Sequence, residues 1–131
     1  MRRSNGSRTG SALPDRSILD ITNLEEAFED DVAGIAELLE MAMETGRKHR
    51  ASLAAALAAN DAAALAKAAH GIKGSAGNIG AKVVYSLATE LDARARTGNL
   101  EGARERVEAI NAAYAQVEGE VRAYRASVPS A

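Results

Sequence analysis

Across residues 18–124 apolar positions recur at steps of three and four, and no alternating strand pattern interrupts them. The steps predict helices, and the punctuation between them sets the borders. A short helix is expected over residues 20–28. Asp30 or Asp31 then opens a long one carrying Val32, Ile35, Leu39, Met43, Leu53 and Leu57, with Gly46 as a possible point of bending. Asn60-Asp61 ends it and caps the third, residues 61–77, with Leu65, Ala69, Ile72 and Ala76 as its stripe. Residues 78–80 make the turn, Gly80 being suited to a left-handed closing position. The fourth helix, residues 81–97, uses Val84, Leu87, Leu91 and Ala95 and stops at Gly98. Asn99 is expected to cap the last, whose stripe is Leu100, Ala103, Val107, Ile110, Tyr114, Val117, Val121 and Tyr124.

The only two prolines, Pro14 and Pro129, lie near the ends, so nothing between them breaks a helix. Four amphipathic helices on short turns predict an all-α fold, an antiparallel four-helix bundle with a short extra N-terminal helix. Residues 1–15, rich in Ser, Gly and Arg, read as a flexible tail, 16–126 as the bundle and 127–131 as a C-terminal tail. With 3% aromatic residues, the core is expected to be aliphatic.

The third helix has a second face. At about 100° per residue, with Leu65 at zero, Ala69, Ile72 and Ala76 fall within about 40° of it. His70 lies near about 140°, Gly77 near about 120°, Ala63 near about 160°, Gly74 near about 180° and Lys67 near about 200°. Lys73 is one turn along, about 60° from His70. His70 thus points away from the apolar stripe, over glycine and alanine, with two ammonium groups near it. Gly74 costs about 1 kcal/mol of helix propensity relative to alanine. Its local effect is to remove a side chain that would crowd the imidazole. A neutral imidazole is a competent nucleophile near neutral pH, and lysines pair with a phosphoryl group. The same features also suit a solvated surface histidine and a helix nearing its end.

Composition narrows the chemistry. The 131 residues make one domain, with 16 Lys and Arg against 18 Asp and Glu and a formal net charge of −2, so no basic excess points to nucleic acid. There is no cysteine, which excludes disulfides and thiolate metal sites. Two histidines without a carboxylate pattern make a poor zinc site. The longest uncharged run, residues 51–60, is too short to span a bilayer, and no apolar stretch follows the N-terminal arginines, so a cytoplasmic protein without membrane insertion is expected. His49, in the basic cluster of residues 47–50, falls at the flank of its stripe and reads as a boundary residue. "GIKGSAG" has its lysine before the second glycine and is no P-loop, so no kinase ATP site is expected.

The stretch "AAHGIKGSAGNIGA", residues 68–81, resembles the signature of histidine-containing phosphotransfer (HPt) domains of two-component phosphorelays. "ILDITNLEEAFEDDVAGIAELLEMAM" is similar to that family's opening helices, and "LATELDARARTGNLEGA" to its fourth helix and final turn. The resemblance implies that His70 accepts phosphate on Nε2, that Lys73 helps hold the phosphoryl group, and that Gly74 admits a receiver domain. It also implies that Gly80 forms the turn after the third helix. Lys67 is a further source of charge. Asp92 falls where many members carry Glu or Gln, close to the histidine across the helix pair, and is a candidate orienting residue. Its carboxylate is one methylene shorter than Glu, which argues against contact with the imidazole. Ile72 replaces a common leucine at a core position. Ser75 also matches, on the flank of the core, where a structural hydrogen bond is expected.

The activity implied is phosphocarriage, with His70 passing a phosphoryl group between receiver-domain aspartates. The partners implied are response-regulator receiver domains and a hybrid sensor histidine kinase. No cofactor is expected in this chain, Mg²⁺ being carried by the receiver. A monomer is expected, the heptad-like last helix serving bundle packing. Two other readings stand beside it. One is a four-helix adaptor whose histidine is incidental. The other is an HPt domain excised from a hybrid or chemotaxis-type kinase, against which the opening Met1 and the lack of kinase or receiver sequence favour an independent protein.

Overall fold

A computed structural model describes residues 13–129, and residues 1–12 of the expected tail lie outside them. The elements, in chain order, are α1 (Thr22–Ala27), α2 (Val32–Ala58), α3 (Ala62–Ile79), α4 (Lys82–Arg96) and α5 (Ala103–Ser127). No strand occurs among the described residues. α3 packs on α2 and α4, and α5 closes the ring against the same two helices. Short turns between consecutive helices make ring neighbours antiparallel, and α1 lies against α2. The expected four-helix bundle with a short leading helix is therefore the fold.

Local chemistry sets most borders. Asp31 and Asp61 each cap the helix that follows, accepting from the N–H of Gly34 at 3.1 Å and of Ala64 at 3.0 Å. α1 is shorter than expected because the Asp20 carboxylate accepts from both the N–H and the hydroxyl of Thr22, turning the chain before the helix begins. α3 runs past Gly77 to Ile79, whose side chain is buried in the core and draws the last turn inward. Gly80 then closes it at φ 79°. Its carbonyl accepts from the Asp20 N–H at 2.9 Å, and a β-carbon there would run into the Asp20 carbonyl. Gly80→Ala is accordingly expected to cost about 1–2 kcal/mol for the left-handed backbone, and more from the collision, read as an early thermal melt.

The expected start of the last helix is corrected. Asn99 does not cap the last helix. It accepts from the Glu101 N–H, within a turn bounded by left-handed Gly98 (φ 80°) and Gly102 (φ 72°), and α5 starts only at Ala103. Leu100 still packs against the core, but from that turn. Gly46 lies inside one unbroken helix, where its missing β-carbon leaves room for the Tyr114 ring and hydroxyl. That niche also alters the core, where Tyr114 and Tyr124 are fully buried beside Ile35, Leu39, Leu53, Leu65, Ile72, Leu91 and Ile110. At the N-terminal side, Pro14 is buried and the Asp15 N–H donates to Glu120 at 2.9 Å.

The Asp20 junction also gives a pH dependence. Donation from Thr22, with Lys82 Nζ 3.2 Å away, lowers the Asp20 pKa from 3.8 to about 2. A carboxylate lowered on folding stabilises the protein fully above its unfolded value and loses that contribution as pH falls through the folded one. The melting temperature is expected to fall as pH drops from 3.8 toward about 2. Asp20→Asn is expected to give a shallower acid limb in melts recorded against pH.

Candidate functional site

α3 carries His70 with its side chain 65% exposed, consistent with its phase opposite Leu65, Ala69 and Ile72, which are buried. Exposure on one side is matched by a buried carboxylate on the other. Asp92 of α4 is the only buried charged residue among those described, its side chain 6% exposed, and its Oδ2 lies 3.4 Å from His70 Nδ1. The shorter carboxylate still reaches the imidazole, because the close α3–α4 packing makes up for the missing methylene. Alanine supplies that closeness, with Ala66 and Ala69 on α3 and Ala88 and Ala95 on α4 all buried.

Asp92 does not face the histidine alone. Arg96, one turn later on α4, donates from Nε to Oδ1 at 3.0 Å and from Nη2 to Oδ2 at 3.2 Å. Burial pushes the Asp92 carboxyl up, but the Arg96 guanidinium and the His70 ring outweigh it and hold it below the ordinary value of 3.8. Asp92 is thus an ionised, acceptor-only group across neutral pH. Ala66, Lys67, His70, Asp92 and Arg96 line a shallow hollow of about 240 Å³. A larger hollow, about 580 Å³, lies toward the far end of α3 around Asp20, Gly77, Lys82 and Tyr85 and contains none of these residues. The imidazole therefore stands on an open helical face, a geometry for a macromolecule to cover.

The other expected residues fall around this pair. Lys67 is exposed on the turn before His70, and Lys73 is half-buried on the turn after it. Gly74 is exposed, and a β-carbon built on it meets nothing within 4 Å. Its φ is not left-handed, and it lies well inside α3, so neither packing nor backbone conformation requires glycine at that position. His49 is half-buried on the seam between α2 and α3, where a β-carbon on Gly71 would strike its ring. Ser75 is half-buried beside the Tyr114 phenol, whose pKa burial raises. The Arg50 guanidinium sits 4.9 Å above that ring and 3.5 Å from Glu118.

Arg96 is the residue that reading by stripe and signature missed. A signal for it exists: Asp92 and Arg96 are spaced i, i+4, the spacing of a helical ion pair. Nothing in that spacing shows that the carboxylate is buried against a histidine of another helix. No group of three or more His, Cys, Asp or Glu suited to a metal occurs among the described residues. Among the same residues, no helix is long and apolar enough to cross a membrane.

Comparison with known proteins bears on the family and the fold. The sequence profile of the Hpt domain matches residues 37–120. The fold is similar to the crystal structure of histidine-containing phosphotransfer protein B (HptB) from Pseudomonas aeruginosa PAO1. The two are 33% identical, with a TM-score of 0.71 over 86% of this chain and 96% of that one. No curated protein matches the sequence.

Proposed function

From the premise that the chain belongs to the Hpt domain family, we propose that it carries a phosphoryl group on His70 between receiver-domain aspartates of a phosphorelay. In this reading residues 16–126 form the phosphotransfer unit. The observation that carries it is the pairing of an exposed imidazole with a buried, ionised Asp92 at its Nδ1. An ionised carboxylate only accepts, so Nδ1 bears the proton and the Nε2 lone pair faces outward.

The step is a displacement at phosphorus. The Nε2 lone pair forms a bond to phosphorus as the bond to the receiver's aspartyl oxygen breaks, and the electron pair leaves with that carboxylate. The ring becomes an Nε2-phosphorylated imidazolium still protonated on Nδ1, and Asp92 faces the positive charge so formed. Return transfer to a second receiver reverses the roles. The transition state is loose and gains from positioning and positive charge, which Lys73, with Lys67 one turn to the other side, supplies from this chain. Mg²⁺ belongs to the receiver, so the half-site here needs no metal of its own. Gly74 leaves the approach to Nε2 clear for the receiver's aspartate.

The test is incubation with phosphorylated receivers from the source organism, with a hybrid sensor kinase feeding them. An acid-labile, base-stable phosphate on this chain is expected, and the receivers that transfer fastest identify its partners. A four-helix adaptor with an incidental histidine acquires no label from any of them. Lys73→Ala is expected to keep the fold and to slow transfer about 100-fold, the low end of the scale for losing one transition-state charge contact, in single-turnover kinetics. Unchanged kinetics assign that charge to Lys67 or to the partner.

A further inference from the structure

We propose that Arg96 is a positioning residue that fixes the His70 tautomer through Asp92. This rests on His70 as the phospho-accepting residue, but its primary readout does not involve transfer.

The carboxylate is held as in a fork, Nε on one oxygen and Nη2 on the other, and the oxygen taken by Nη2 is also the one facing His70 Nδ1. Two parallel charge-assisted contacts fix the rotation of the carboxylate plane. The contact to His70, at 3.4 Å, is by contrast at the long limit of a hydrogen bond. The aspartate is therefore aimed by Arg96 and not by the imidazole. Arg96 also offsets the cost of keeping a charge in a nearly dry position, and that charge is what obliges Nδ1 to hold the proton. Without the guanidinium, the carboxylate has only the imidazole as a partner and is free to turn.

α4 contains an internal comparison. Glu90 and Arg94 have the same i, i+4 spacing, but touch through a single contact of 3.7 Å with both side chains largely exposed, 50% and 41%. A pair of that kind is worth a few tenths of a kcal/mol. Arg96 has the same sequence relation to its acid, yet its acid is buried and touches the next helix. It is 61% exposed itself, so replacing it leaves the core untouched.

Long-range ¹⁵N–¹H spectra of the unphosphorylated protein report the tautomer directly, at a pH where the ring is neutral. In the native protein His70 is expected to be protonated on Nδ1. In Arg96→Met the population is expected to move toward the Nε2-protonated form, with transfer slowed roughly 10-fold, the low end of the scale for losing the partner behind a metal-bound histidine. Arg96→Lys keeps charge without the fork and is expected to restore only part of both. Arg94→Met is expected to leave both unchanged. A native tautomer ratio in folded Arg96→Met overturns the proposal, as does complete restoration by lysine or an equal shift in Arg94→Met. If His70 proves not to be the labelled residue, the carrier reading fails while the tautomer measurement still decides the role of Arg96.

Discussion

His70→Gln is expected to abolish acquisition of acid-labile phosphate from a phosphorylated receiver, while His49→Gln labels at the native rate. The loss is complete because no second imidazole lies near the site, where Lys67, Lys73 and Arg96 are the other nitrogen side chains. His49 lies half-buried on the α2–α3 seam with its ring against Gly71, and no carboxylate contact to its ring is found among the described residues. Glutamine is close in size to histidine and replaces an exposed side chain, so a native melt is expected alongside the lost label. Labelling of folded His70→Gln, or its loss in His49→Gln, assigns the phosphate elsewhere.

Gly74→Gln is expected to have the next largest effect, and to separate stability from function. Glycine is a poor helix residue, and no contact at this position demands it, so glutamine is expected to gain about 0.5–1 kcal/mol of helix propensity. The same side chain lies one turn from His70 on the same face and overlies the imidazole. Receiver binding and transfer are expected to fall sharply together, with the melting temperature level or raised. The opposite outcome, an early melt with normal transfer in the folded fraction, makes Gly74 a residue the helix needs and removes the access argument. Measuring the melt and the single-turnover rate on one preparation decides between them.

Legibility along the chain followed the range of the forces involved. The acidic caps at Asp31 and Asp61 and the left-handed Gly80 were readable because a cap or a closing glycine acts on backbone groups within a few residues of itself. The start of α5 was misread for the same local reason. Asn99 offers both a cap and an Asx turn, and the choice went to the turn because Gly98 and Gly102 both adopt left-handed backbone around it. Gly46 shows a different limit. A glycine within a helix reads as a bend, and that it makes space for Tyr114 requires knowing that α5 crosses there.

The sequence alone determined the helical order, the bundle and the outward phase of His70, Lys67 and Gly74. Those follow from the rotation per residue of a single helix, which is independent of what the helix packs against. Which side chain stands behind the imidazole was decided only by tertiary structure. Asp92 lies on a different helix, and its distance from Nδ1 depends on how closely α3 and α4 approach and how each is turned about its axis. Alanine packing sets the approach, and burial of both stripes sets the turn. Neither quantity is encoded in the period of either helix, so the contact between His70 and Asp92 arises only when the two helices meet.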